Sequence, residues 1–109
     1  YNKMNGKVYI GLTTCNQKQD ALNMIKVLLD KGLIACGQVE GPIVSQYIWE
    51  NETQETQEWR VVLKFKTGNE KGVFSALKKE HQYENPQWVY WEVGSSDEFF
   101  QWVNNPSGK

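Results

Sequence analysis

From Trp59 to Lys66 the chain alternates without a break, with Trp59, Val61, Leu63 and Phe65 on one side and Arg60, Val62, Lys64 and Lys66 on the other. A period of two marks a strand with one buried face and one largely wet face. A buried sheet face needs a cover, and two stretches at helical spacing supply it. The first carries Ala21, Leu22, Met24, Ile25, Leu28 and Leu29 on one broad stripe. Asn16 stands at its start as an N-cap, with Gln19 three residues on in the manner of a capping box. Gly32 sits where a left-handed C-terminal residue belongs. The second stretch uses Val73, Phe74 and Leu77, is capped by Asn69 and ends near His81. Gly72 weakens it by about 1 kcal/mol relative to alanine.

The remaining strands follow from the same reading. Lys7 to Thr14 forms the first, with Val8, Ile10 and Leu12 alternating against Tyr9, Gly11 and Thr13. A long extended region runs from Leu33 to Glu50, and the polar segment Asn51 to Gln57 reads as a turn. Gln87 to Val93, after Pro86, gives a fourth strand. Ser95 and Glu98 form a second capping-box pair, and Phe99, Phe100, Trp102 and Val103 give a short docking helix that Pro106 stops. The order β-α-β-β-α-β predicts an α+β fold, the ferredoxin-like βαββαβ sandwich with a short C-terminal helix. Right-handed crossovers put both longer helices on one face of the sheet.

The length of 109 residues fits one domain, residues 1–109, with 1–6 and 104–109 expected as flexible tails. A formal net charge of −1 provides no basic field for nucleic acid or anionic lipid. No apolar run approaches the roughly 20 residues needed to span a membrane. Two cysteines, Cys15 and Cys36, are too few for a disulfide framework and suit a reducing compartment, so a cytoplasmic location is expected.

The extended region from Leu33 to Glu50 is too long for the body of such a domain. At about 3.3 Å per residue it spans roughly 60 Å, against a radius of gyration of about 13 Å for a chain of this size. It must bend at Gly41-Pro42 and project outward, leaving Tyr47, Ile48 and Trp49 with little core of their own. An aromatic edge strand of this kind needs another chain to pair with it. The hairpin therefore reads as an assembly device.

Catalytic signatures are missing. The third strand lacks the glycines of an RNA-recognition motif, and no glycine-rich phosphate cradle is present. Iron–sulfur ligation needs about four cysteines. With His81 the lone histidine, a Ser-His-Asp triad has no base near any serine. His81, among Glu80, Tyr83 and Glu84, reads either as a divalent-metal ligand or as a helix-terminal residue stabilising the last carbonyls. Cys15 stands at a strand–helix junction, where a helix N-terminus would lower its pKa. Simple packing is the alternative reading for that residue. Cys36 is expected to be buried and inert, unbonded to Cys15. Glu52, Glu55 and Glu58 read as a solvated hairpin end.

Particular segments, in order and spacing, resemble the CutA divalent-cation tolerance proteins. They are Leu33-Ile34-Ala35-Cys36, Tyr47-Ile48-Trp49-Glu50, Lys66-Thr67, His81-Gln82-Tyr83-Glu84-Asn85-Pro86 and Phe100-Gln101-Trp102-Val103. The similarity covers Val8 to Val103. The resemblance implies a PII-like homotrimer, non-enzymatic, serving tolerance or homeostasis of divalent metals and of copper especially. It implies a divalent ion, weakly bound here, at His81; Glu84 as a neighbouring carboxylate and Cys15 as a thiol near a helix start are metal candidates from their own chemistry, and no nucleic acid, membrane or obligate protein partner is expected. His81 matches the family histidine, Gln82 replaces the proline after it, and Thr13 occupies the place of a family metal-binding cysteine. The runner-up reading is a PII-like small-molecule sensor with intersubunit clefts lined by Tyr47, Trp49, Lys66 and Tyr83. A third reading is an assembly hub with no ligand.

Overall fold

The computed structural model describes residues 3–108. The elements run β1 (Gly6–Cys15), α1 (Lys18–Asp30), β2 (Cys36–Trp49), β3 (Glu52–Phe65), α2 (Glu70–Glu80), β4 (Val89–Ser95) and α3 (Asp97–Asn104). The strands form one antiparallel sheet in the order β2-β3-β1-β4. This is the expected ferredoxin-like α+β arrangement. The expected flexible tails begin later than read: Gly6 already belongs to β1 and Asn104 closes α3. Lys3 and Asn5 are hydrogen-bonded to Asp97, and residues 1, 2 and 109 lie outside the described residues.

The register decides which face meets the helices. Tyr9 pairs with Phe65, Gly11 with Leu63, Thr13 with Val61 and Cys15 with Trp59. These residues share a face, and their buried members pack with Ala21, Met24, Ile25 and Leu28 of α1 and with Val73, Ala76 and Leu77 of α2. Leu22 and Leu29 fall outside that contact and are exposed, so the α1 stripe is narrower than the sequence suggests. The more apolar set of β1 points the other way. Val8 is covered there by α3, through Val103 and Phe100. Ile10 and Leu12 stay only half-buried, beside Val62 of β3 and Trp91 of β4.

Gly11 is small for a reason. Trp88 lies between Phe65 and Phe74, with ring centroids 6.1 and 6.2 Å away. A Cβ on Gly11 would come within 2.6 Å of the Trp88 ring and 3.2 Å of Phe65. Gly11→Ala is expected to cost about 1–3 kcal/mol by overpacking, read as a lower urea midpoint at fixed protein concentration. An unchanged midpoint would mean that Trp88 is not pinned to the sheet.

The hairpin projects as its length requires. A register shift lies between Glu40 and Ile43, at a cis Gly41-Pro42 peptide. The molecule measures 52 × 26 × 23 Å, with a radius of gyration of 15.2 Å. The turn itself is shorter than expected. Glu50 and Asn51 both take positive φ, 51° and 65°, the signature of a two-residue hairpin turn. Residues 52–57 belong to β3; they are polar because most of them face solvent along the projecting arm. The caps also differ. Gln17, not Asn16, precedes α1 without a side-chain cap, and Gln19 instead donates to Asn23. Asn69 precedes α2, but its amide donates to the Leu33 carbonyl. Ser96, not Ser95, caps α3, accepting from the Phe99 amide at 3.2 Å. The fourth strand begins at Val89 rather than Gln87.

Candidate functional site

Beyond α2 the chain turns back across the end of the sheet. His81 ends the helix in extended conformation, and the loop that follows brings Tyr83 to Glu58 of β3. The His81 Nδ1 accepts the Tyr83 backbone N–H at 3.1 Å. The neutral ring therefore carries its proton on Nε2, which lies 3.1 Å from Oγ1 of the fully buried Thr13. Burial pushes the imidazole below its ordinary value of 6.5, opposed by a hydrogen bond with the Thr14 backbone and by the Glu58 and Asp20 carboxylates.

That shift has a consequence for stability. The unfolded chain takes up a proton near the ordinary value of 6.5, while the folded chain resists until lower pH. The His81 contribution is full above this value and declines as pH falls below it. Urea unfolding is expected to show stability dropping from about pH 7 to about pH 5, with a shallower drop in His81→Gln. An identical slope in the variant would assign the titration to other groups.

Tyr83 anchors the loop. Its hydroxyl donates to Glu58 Oε2 at 2.6 Å, and burial first, then this carboxylate, push its pKa upward. Glu58 is only 7% exposed, so this is a buried charge and not the solvated hairpin end expected. Sequence reasoning missed it because the polar run 52–57 read as a turn. Carrying the alternation of β3 back past Trp59 would have put Glu58 in the strand, though not under Tyr83.

Of the two readings of Cys15 the structure bears out simple packing, while Cys36 is less buried than expected. Cys15 is the buried one, inside the main core, and its thiol is pushed up to about 11 by burial, then by Asp20 and Glu58. Its side chain lies among core residues, so the neighbouring helix start does not activate it. Cys36 is half-buried on the second face, opposite Lys64. Burial raises its pKa and the Lys64 charge opposes the rise. Both thiols are free, as expected.

The second face holds a cavity of about 1120 Å³. Ile10, Leu12 and Val62 line its apolar part, Tyr47 and Trp49 line it from the hairpin, and Tyr83 and Glu84 from the loop. Tyr47, Trp49, Tyr83 and Glu84 are thus brought together. Lys66 is not among them; it lines a hollow of about 50 Å³ with Asn69 and Val103. His81 and Cys15 lie behind the cavity and do not line it.

The family model described as CutA1 divalent ion tolerance protein matches residues 9–106. The chain belongs to the CutA1 family. A Divalent-cation tolerance protein CutA of Thermotoga maritima is 35% identical over 74 residues, covering 68% of this chain and 72% of that protein. One of Yersinia pestis is 24% identical over 94 residues, covering 85% and 79%. The crystal structure of CutA1 from Ehrlichia chaffeensis is 27% identical with a TM-score of 0.85, covering 90% of this chain and 92% of that one. The structure of the periplasmic divalent cation tolerance protein CutA from Archaeoglobus fulgidus is 25% identical at the same TM-score of 0.85, covering 88% and 94%. The CutA1 fold is the ferredoxin-like, PII-like one, as expected.

The CutA1 name points to divalent cations, so the donor set of this protomer matters. Among the described residues no group of three or more His, Cys, Asp or Glu side chains is arranged to hold a metal. The free lone pair of His81 is taken by the Tyr83 amide, and a hydroxyl, Thr13, occupies the place beside Nε2. A single protomer therefore does not fit a resident metal ion. Among the described residues no helix is long and apolar enough to cross a membrane.

Proposed function

We propose that this CutA1-family chain serves divalent-cation tolerance as a cytoplasmic, non-catalytic homotrimer, and that it meets copper only weakly, through ligands contributed at subunit contacts. The family match over residues 9–106 supports the tolerance role. One observation carries the assembly: the second sheet face presents Ile10, Leu12 and Val62 to a cavity beside a hairpin whose Val44, Ile48 and Trp49 are 70%, 75% and 46% exposed. Apolar surface of this extent marks an interface. Two unbonded cysteines support the reducing compartment.

The metal arm of the proposal rests on His81, with Glu84 and Cys15 as further candidates. Copper(II) favours imidazole, but ligation costs the Tyr83 hydrogen bond. Copper titration by calorimetry is expected to show weak binding that fades as pH falls below the ordinary imidazole value of 6.5, and that is lost in His81→Ala. Cells lacking this protein should grow more poorly than complemented cells at raised copper. Equal growth under copper, zinc and cobalt would remove the tolerance role. The sensor reading keeps one specific support, the roomy cavity beside Tyr47, Trp49 and Tyr83. It gains if no divalent ion binds.

A further inference from the structure

β4 carries aromatic residues on the helix-covered face as well. Tyr90 lies opposite Gly11 and Glu92 opposite Tyr9, so both share the face on which α1 and α2 pack. Four rings run across it in order. Phe74 of α2 stacks on Trp88 with centroids 6.2 Å apart, Trp88 meets Tyr90 at 5.9 Å, and Tyr90 meets Tyr9 at 5.3 Å. Trp88 rests on Gly11 and on the fully buried Phe65, so the row is held in place from below. Tyr90 nevertheless stays 45% exposed.

The row ends between carboxylates. Burial first, then Glu70 and then Glu92, hold the Tyr9 hydroxyl above its ordinary pKa, so both acids face it. Among the described residues neither acid forms an ion pair, and only Glu70 takes a hydrogen bond, from the Gly68 amide. Lys7 of β1 reaches over Gly94 instead. Aromatic faces attract cations, and at the other end of the row Lys78 Nζ already stands 5.9 Å from the Phe74 centroid. Among the described residues no cation meets Tyr90 or Glu92. A ring and a carboxylate two residues apart on one strand face fit a guanidinium better than an ammonium. The planar group stacks on the ring while its edge donates to the carboxylate. Its source is another chain. Arg60 is the only arginine in the sequence, and it lies on the opposite sheet face beside Glu40.

We propose that Tyr90 and Glu92 form a docking site for an arginine side chain of a partner protein, with the guanidinium stacked on the Tyr90 ring and paired with the Glu92 carboxylate. Glu70 adds longer-range attraction. The site lies on the helix-covered face, apart from the second face and the hairpin tip through which the subunits are proposed to meet.

The test uses the full chain and end-blocked tetra-arginine as probe, with tetralysine, tetra-citrulline and free arginine as comparisons. Calorimetry reads affinity, and NMR shifts of the Trp88 indole N–H and of the Tyr90 and Glu92 amides read the place. Tetra-arginine is expected to bind below about 1 mM and to move those signals. Tetralysine should be at least about threefold weaker, and tetra-citrulline, planar but uncharged, at least about tenfold weaker. Glu92→Gln and Tyr90→Leu should each weaken tetra-arginine by about threefold to fivefold, and the double variant by about tenfold or more. Asp30→Asn, an exposed acid at the end of α1, should bind like the parent. Circular dichroism and light scattering check the fold and mass of each variant.

The proposal is overturned if tetralysine or tetra-citrulline matches tetra-arginine, if the double variant binds like the parent, or if tetra-arginine does not bind below about 10 mM. Binding whose shifts leave Trp88, Tyr90 and Glu92 unmoved, or that Asp30→Asn weakens as much as Glu92→Gln does, is general attraction to an acidic surface and overturns it. Free arginine that binds as tightly as the peptide makes this a small-molecule site and overturns the docking reading. A double variant that is folded but has lost the parent's mass places Tyr90 and Glu92 in a subunit contact, and it too overturns the proposal.

Discussion

Trp49→Arg is expected to leave purified protein near the monomer mass of 12.7 kDa, where the parent, as the proposed homotrimer, is expected to scatter light as a species about three times heavier. Trp49 closes β2 at the far end of the hairpin and is 46% exposed in the protomer. It takes no part in either core cluster, so its loss leaves the fold of the protomer standing. What it changes is surface. Covering about 100 Å² more of an indole contributes about 2.5 kcal/mol per contact. An arginine in the same desolvated place, with no partner, costs about 3–5 kcal/mol instead. In the proposed trimer each change is repeated at every contact, so the assembly equilibrium is expected to shift by orders of magnitude. Circular dichroism should show the variant folded. A variant that keeps the parent's mass would mean that the hairpin tip does not hold the subunits together.

The fold was legible where the signal was local. The strict alternation of β3 from Trp59 and the stripe of α1 each repeat within a few residues, and periodicity reads such patterns directly. The projecting hairpin was legible from length alone, because no domain of this size holds so long a strand. Parity was harder to read. Nothing local says that Gly37 rather than Cys36 faces the helices; Ile25 decides it by lying so close to Gly37 that a Cβ there would come within 2.7 Å. That one contact turns Cys36 toward the second face and leaves it less buried than expected. The caps missed for a related reason. Asn69 spends its amide on Leu33, 36 positions away in sequence, and a capping pattern contains no information about such a competitor. Half of the site was legible as aromatic residues in search of a partner. Its charged centre was not, because Glu58 is buried by a tyrosine 25 positions later.

That tyrosine is the second place where a single atom carries a large effect. Tyr83→Phe removes the hydroxyl that donates to Glu58 Oε2 at 2.6 Å and leaves the rest of the ring in place. The ring still lies 4.9 Å from the His81 imidazole, so lost packing contributes little. What remains is a carboxylate, 7% exposed, with no side-chain donor among the described residues. A hydrogen bond to a charged group is worth about 1.5–3 kcal/mol, and a buried charge left without its donor sits at the upper end. Urea unfolding at a fixed protomer concentration, needed because assembly couples to stability, should therefore show Tyr83→Phe less stable by about 2–3 kcal/mol. The double variant Tyr83→Phe with Glu58→Leu separates a lost bond from a stranded charge. Replacing both polar partners by apolar groups removes the unmet demand, so the double variant should be more stable than Tyr83→Phe alone. If the single variant falls within about 0.5 kcal/mol of the parent, Glu58 is satisfied by solvent in the cavity and Tyr83 does not hold it.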